Sequence, residues 1–304
     1  MHPGESADES IPATTAPRGF AWVRLLRPLQ WIKNLFCLAG VIFAGKAGHG
    51  DSLTAALLAF IAFCAVSSFT YVINDFLDRR EDAKHPLKRH RPIASGAISP
   101  AGAMVIAGLC LAIAVGCAWM LPRGVALVVG LYLVLTTTYS FALKRLVLLD
   151  VMAIAAGFIL RLFAGTEAVR VPASAWILLC TFFLAMFLGF AKRRAELQLL
   201  GHSATRAVLE SYTPGMLERL CYVFATLTIA AYAIFTVNVE RTLVLTCPPV
   251  IFGILRYLWL AETHADEEQI EIVLVHDRPI RMAILIWFGL YVAVLYGGLR
   301  LPIQ

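Results

Sequence analysis

A chain of 304 residues with 60% apolar and 15% charged side chains carries more hydrophobic surface than one soluble core of that length needs. Its apolar runs are long enough to cross a bilayer, which excludes an ordinary soluble domain and points to an integral membrane protein. The net charge of +6 has no separate soluble domain to sit on, so it reads as anchoring at an inner membrane face and not as nucleic-acid binding.

Residues 1 to 17, MHPGESADESIPATTAP, are polar and acidic, and no short apolar segment with a small-residue cleavage site follows them. They are expected to form a disordered tail, not a cleaved signal peptide, ahead of one membrane domain over 18 to 304. Taking about 20 residues per crossing, nine helices are predicted near 29–45, 53–74, 99–120, 125–143, 147–165, 173–191, 218–238, 243–261 and 281–300. Separators as short as LPRG, KRL and VERT force neighbouring helices to run antiparallel in a single bundle. Cytoplasmic connections are expected at 75–98, 192–217 and 262–280.

Lys and Arg collect on one side of such a bundle: Arg18, Arg24 and Arg27, then Arg79, Arg80, Lys84, Lys88, Arg89 and Arg91, then Lys144 and Arg145, then Lys192, Arg193, Arg194 and Arg206. The other side has little beyond Lys46, Arg123, Arg170, Arg241 and Arg300. The N-terminus and the charged loops are therefore expected in the cytoplasm and the C-terminus outside. The seven cysteines lie in or beside apolar runs without C-x-x-C spacing and read as small apolar filler. Scattered histidines give no support for zinc or haem.

The stretch NDFLDRREDAKHPLKRHRPIASG, residues 74 to 96, concentrates charge in an otherwise oily chain. If the second helix continues past the membrane surface, Asp75, Asp78 and Asp82 fall within roughly 60° of one another at about 100° per residue, with Asn74 at the edge of that face. Like charges three and four residues apart destabilise a helix unless something neutralises them. A divalent cation does so, and oxygen-only ligands suit Mg²⁺. A solvated helix end in which Arg79 pairs with Asp75 is the competing reading.

Immediately downstream, Lys84, Lys88, Arg89 and Arg91 sit among Pro86 and Pro92, which disfavour a continuous helix. Arg forks match phosphate oxygens and Lys supplies a point charge, so acids beside bases at one membrane mouth read as Mg²⁺-phosphate recognition. Lys33, Lys144, Lys192 and Arg193 lie at other ends predicted on that side, with Tyr139 near them; for each single cation, positive-inside anchoring is the simpler explanation. Arg161, in FILRLFAG, is placed mid-membrane, where a structural pairing and substrate contact are equally open.

The string N-D-x-x-D-x-x-x-D at Asn74 to Asp82 resembles the first acidic motif of the UbiA superfamily of intramembrane prenyltransferases. The resemblance runs over most of residues 22 to 300 through RPLQW, KRHRPIASG, YSFALKR and the Asp150, Arg161 and Ala164-Gly165 positions. It implies an all-α bundle of nine transmembrane helices with cytoplasmic catalytic loops. Prenyl-transferring members usually carry a second aspartate-rich motif after helix six, where this chain reads GFAKRRAELQLL, with Arg193 and Glu196. That departure, with RPLQWIKN and LESYT, is similar to the decaprenyl-phosphate phosphoribosyltransferase branch. This branch implies Mg²⁺-dependent transfer of 5-phosphoribose from phosphoribosyl pyrophosphate to a polyprenyl phosphate, in cell-envelope precursor synthesis.

Under that resemblance Asp75, Asp78 and Asp82 hold Mg²⁺ and Asn74 orients the site. Lys84, Lys88, Arg89 and Arg91 grip the donor's phosphates; Lys33, Lys144, Lys192, Arg193, Arg161, Tyr139 and Glu196 line the rest of the substrate site, with interchangeable assignments. The partners are phosphoribosyl pyrophosphate, polyprenyl phosphate and membrane lipid; a homo-oligomer is compatible with all of this. Two rivals stay open: a prenyltransferase with an aromatic acceptor, and a non-enzymatic carrier of anionic lipid.

Overall fold

A computed structural model describes residues 20–84, 88–200, 207–263 and 276–300. Among them the ordered elements are all helical: α1 (Ala21–Leu26), α2 (Ala39–Phe43), α3 (Gly50–Asp82), α4 (Pro100–Trp119), α5 (Arg123–Phe141), α6 (Leu149–Ala168), α7 (Ala175–Leu200), α8 (Pro214–Val239), α9 (Cys247–Thr263) and α10 (Arg278–Leu295), with short 3-10 segments between several of them. Among the described residues eight helices are long and apolar enough to cross a bilayer. The protein is a multi-pass, all-α membrane protein.

The first predicted crossing, 29–45, is a shorter apolar helix over Pro28–Phe43 whose larger part, Pro28–Leu38, is 3-10. A 3-10 helix rises about 2.0 Å per residue, so its 11 residues and the five of α2 still reach roughly the thickness of a hydrocarbon core. A tight crossing positions this segment. A Cβ added to Gly40 would lie 2.7 Å from the backbone of Gly165, and one on Gly165 would overlap the Cys37 carbonyl, so glycine lets the two backbones touch.

Two helices run further than their apolar stretches. α3 continues past residue 74 to Asp82, carrying the acidic face with it, and α7 continues past 191 to Leu200. The expected connection at 192–217 therefore starts later: the stretch KRRAELQLL is made of good helix formers with no Gly or Pro before Gly201, and nothing stops the helix at the membrane surface.

α3 packs along α4, α5 along α6, α7 along α8 and α9 along α10. One core joins α6, α7, α8 and α9 around Val151, Phe187, Phe190 and Leu217; another joins α3, α4, α5 and α6 around Phe63, Val66, Ala114 and Val125. The outward surface stays apolar, with Val105, Trp119, Leu127, Val134 and Leu285 all more than half exposed. A surface of this kind is stable only against lipid. The C-terminal ends of α3, α5, α7 and α9 and the N-terminal ends of α4, α6, α8 and α10 share one end of the bundle, which holds the acidic motif.

Candidate active site

At that end the last two turns of α3 present two nearly buried carboxylates. Asp75 is 2% exposed and Asp82 4%. They lie two helical turns apart on one face, and a single guanidinium spans them: Arg91 Nη1 donates to Asp75 Oδ1 at 3.1 Å and to Asp82 Oδ2 at 2.8 Å. Arg27 Nη2 donates to that Asp75 oxygen at 2.6 Å while its guanidinium stacks 4.9 Å from the Tyr71 ring centroid. Asp78, between the two acids in sequence, is exposed, and Asn74 is half-buried.

Arg27 is a site residue that sequence reasoning counted only as an anchor. Its φ of 53° is left-handed, a region that a non-glycine residue rarely adopts and that the following Pro28 disfavours further. That turn ends α1, opens the Pro28–Leu38 segment and aims the side chain at α3. A positive-φ, pre-proline arginine leaves no mark in the sequence beyond Arg-Pro itself. Arg79, the partner considered for Asp75, turns back on its own helix: Nη1 donates to the Phe76 carbonyl at 2.6 Å and the guanidinium lies 4.4 Å from the Phe76 ring centroid.

Arg91 belongs to a connection that is held on both sides. Arg24 Nη2 donates to the His90 carbonyl at 3.2 Å, and the buried Ile93 packs with Leu25, Val72, Ala103 and Ala107. The Ile98 amide then closes back on the Pro92 carbonyl at 2.9 Å. Lys84 and Arg89 are exposed and Lys88 half-buried on a short 3-10 turn beside it.

A second cluster sits where α5, α6 and α7 meet. Arg193 is 1% exposed; Nε donates to Asp150 Oδ2 at 2.7 Å, Nη1 to Glu196 Oε2 at 2.5 Å and Nη2 to the Tyr139 hydroxyl at 3.3 Å. Tyr212, also missed from sequence, donates its hydroxyl to Asp150 Oδ1 at 2.8 Å and accepts from the Leu148 amide at 2.7 Å. Burial first, and the Asp150 carboxylate as well, hold the Tyr212 phenol above its usual pKa, so it remains a donor. The structure thus brings Tyr139, Arg193 and Glu196 together with Asp150, but in a closed network instead of an open basic surface. Lys192, next on α7, is half-buried, as is Lys144 on the turn after α5.

Arg161 lies 12 residues into α6, about 18 Å along the helix, and is 5% exposed. Its nitrogens donate to Asn34 Oδ1 at 2.7 Å, the Gly157 carbonyl at 2.8 Å and the Tyr132 hydroxyl at 2.9 Å, and Tyr132 and Phe158 offer ring faces at 4.7 and 5.6 Å. Neutral dipoles and aromatic quadrupoles solvate the charge and tie the Pro28–Leu38 segment to α5 and α6. Lys33, in that segment, donates to Gln30 at 2.7 Å.

The donor set on α3 can be tested against a metal. Among the described residues no three His, Cys, Asp or Glu side chains come together as a metal cage. Two carboxylates with hard oxygen donors and a neighbouring guanidinium pair suit an ion that takes one or two carboxylates and completes its shell with water and substrate phosphate, as Mg²⁺ does. The residues present fit.

This bundle, with an aspartate pair at the end of a long membrane helix, is the architecture of an intramembrane transferase, and the chain belongs to the UbiA prenyltransferase family, which it matches over residues 34–275. It is 32% identical to the decaprenyl-phosphate phosphoribosyltransferase of Mycolicibacterium smegmatis over 95% of this chain and 98% of that one. It is likewise 32% identical to the enzyme of that name from Corynebacterium glutamicum, over 97% and 93%. In fold it resembles a UbiA homologue from Archaeoglobus fulgidus bound to GPP and Mg²⁺, with a TM-score of 0.69, 20% identity and coverage of 90% of this chain and 99% of that one.

Proposed function

We propose that the protein transfers 5-phosphoribose from phosphoribosyl pyrophosphate to a polyprenyl phosphate at the cytoplasmic face of the cell membrane, releasing pyrophosphate. The observation that carries this reading is the α3 cluster, in which Asp75 and Asp82 share Arg27 and Arg91. Two acids and two guanidiniums in one place match a diphosphate that travels with a divalent cation. The choice of donor and acceptor is supported by the relatives whose names state that reaction, along nearly the whole chain.

In this reading Asp75 and Asp82, with Asp78 beside them, hold Mg²⁺, which when bound offsets charge on the leaving diphosphate. Arg27 and Arg91 contribute donors for the same oxygens, and Lys84, Lys88 and Arg89 extend the positive rim. A phosphate-monoester oxygen of the lipid attacks C1 of the ribose; the C1–O bond to pyrophosphate breaks and its electron pair leaves with the pyrophosphate. The lipid phosphate has its second pKa near 6 and is already largely a dianion at neutral pH, so the step needs no general base. Positioning and electrostatics carry the catalysis. Arg193 acts from within the protein here, placing the Tyr139 hydroxyl and the α7 end, because Asp150 and Glu196 already occupy it.

Likeness in fold to a homologue bound to GPP keeps prenyl transfer to an aromatic acceptor as the second reading. Purified protein incubated with labelled phosphoribosyl pyrophosphate, polyprenyl phosphate and Mg²⁺ separates the two. Mg²⁺-dependent label in the organic phase, lost in Asp78→Asn and Asp82→Asn, is the expected result. No label, with the lipid shown competent by another enzyme, moves the assignment to prenyl transfer.

A further inference from the structure

The carboxylates of α3 and their arginine partners differ in freedom. The side chains of Asp75 and Asp82 are 2% and 5% exposed, whereas those of Arg27 and Arg91 are 30% and 28% exposed. The acids are fixed on a helix, and the arginines reach in from two other segments with one nitrogen each on a carboxylate. A guanidinium has five N–H donors, so most of each fork faces away from the acids. Asp75 Oδ1 already accepts from both arginines, and a cation placed on that oxygen meets two positive charges at contact distance. Binding a cation on this pair of acids and keeping both guanidiniums in place therefore oppose each other electrostatically.

We propose that Arg27 and Arg91 are exchangeable counter-ions: a divalent cation arriving with a diphosphate displaces both guanidiniums from Asp75 and Asp82, and they rebind on the diphosphate oxygens. Cation and diphosphate then bind as a unit, and each binds poorly alone. Free cation must evict two charges that have nowhere equivalent to go, and free diphosphate meets two carboxylates. Together, each removes the other's obstacle, because guanidinium forks match diphosphate oxygens as well as they match carboxylates.

The exchange needs only side-chain rotation. Ile93 is buried against Leu25, Val72, Ala103 and Ala107, and His90 is tied to Arg24, so the backbone on either side of Arg91 is held. Arg27 is likewise set in place by its left-handed turn before Pro28, and the Tyr71 face 4.9 Å from its guanidinium gives the charge a second contact as it moves. Arg79 takes no part, being engaged with its own helix at Phe76.

This inference rests on the metal-diphosphate reading above, and one experiment tests both separately. Full-length protein in detergent is titrated with Mn²⁺ alone, followed by electron paramagnetic resonance, and labelled pyrophosphate binding is measured by equilibrium dialysis at saturating Mn²⁺. Arg91→Gln is expected to bind Mn²⁺ alone more tightly and Mn²⁺-pyrophosphate more weakly, each by at least about 5-fold, the low end of typical coupling between sites. Arg27→Gln should shift both in the same directions. Arg91→Lys keeps the charge without the fork, so it should leave Mn²⁺ alone near the wild-type affinity while still weakening pyrophosphate.

If Arg91→Gln weakens both ligands, or leaves Mn²⁺ alone unchanged, the exchange is wrong and Arg91 is an ordinary brace or phosphate ligand. Wild-type pyrophosphate binding that ignores Mn²⁺, or that survives in Asp82→Asn, overturns the metal reading itself. Unchanged size-exclusion profiles and melting temperatures establish that the variants are folded.

Discussion

Two ionic clusters lie at the same end of this bundle and are built from the same residue types, yet they differ in how much water reaches the cation. At the end of α3 the arginines are about a third exposed over buried carboxylates. At the α6–α7 corner Arg193 is as buried as its acids, with side-chain exposures of 2% for Arg193 and 0% for Asp150. A buried pair that loses one member leaves an unsolvated charge, whereas a half-exposed arginine is hydrated as it departs. The first arrangement can exchange partners, and the second can only hold. Among the described residues, two of the three non-glycine positions with positive φ, Arg27 and Leu148, adjoin these clusters, so the chain accepts local strain in order to assemble each.

The largest effect that tests this contrast is expected for Arg193→Gln, which strands Asp150 and Glu196 in the interior. A loss of about 3–5 kcal/mol of stability should appear as a lowered melting temperature and poor recovery as a single species. Wild-type stability in that variant would put Arg193 back among the substrate ligands. Asp82→Asn should behave in the opposite sense: transfer activity falls by about 10²-fold or more, as when one preorganised electrostatic partner is removed, while the melting temperature stays close to wild type.

Smaller effects sharpen the same division. Tyr212→Phe leaves the Asp150 oxygen and the Leu148 amide without a buried partner and should cost about 1–3 kcal/mol, read as a melting shift with little change in KM for the donor. Arg91→Gln should lower stability by less than Arg193→Gln does, because Arg91 itself is part-exposed and water enters where it leaves, despite its large expected effect on ligand binding. A stability loss there equal to that of Arg193→Gln would erase the distinction between the two clusters.

Much of the fold was legible beforehand because a bilayer reads composition directly. Long apolar runs and short separators follow from the cost of exposing polar groups to lipid, and among the described residues these runs match the eight helices long enough to cross and the shorter first one. The internal geometry of the first segment was not legible, since the partner that Gly40 packs against, Gly165, lies far along the chain. Helical extension of α3 through Asp82 could be anticipated from local sequence. Extension of α7 through Leu200 was obscured by the end of its apolar run.

The acidic face shows where local periodicity runs out. A 100° step per residue groups Asp75, Asp78 and Asp82, but burial of the first and third and exposure of Asp78 depend on what packs against α3. Counting positive charges likewise marks Arg27, Arg91 and Arg193 as equivalent anchors. Only assembly shows that the first two serve the acids of α3 and the last is consumed by Asp150 and Glu196.

By itself, then, the sequence determined the membrane class, the helical course, the acidic motif and its family, because these rest on composition and on spacing within a few turns. Tertiary structure decided which charges meet. Asp75 and its partner Arg27 lie 48 positions apart, and Arg161 and Asn34 lie 127 apart; such pairs are chosen by the packing of separate helices, where burial decides whether an arginine is free to exchange or locked in place.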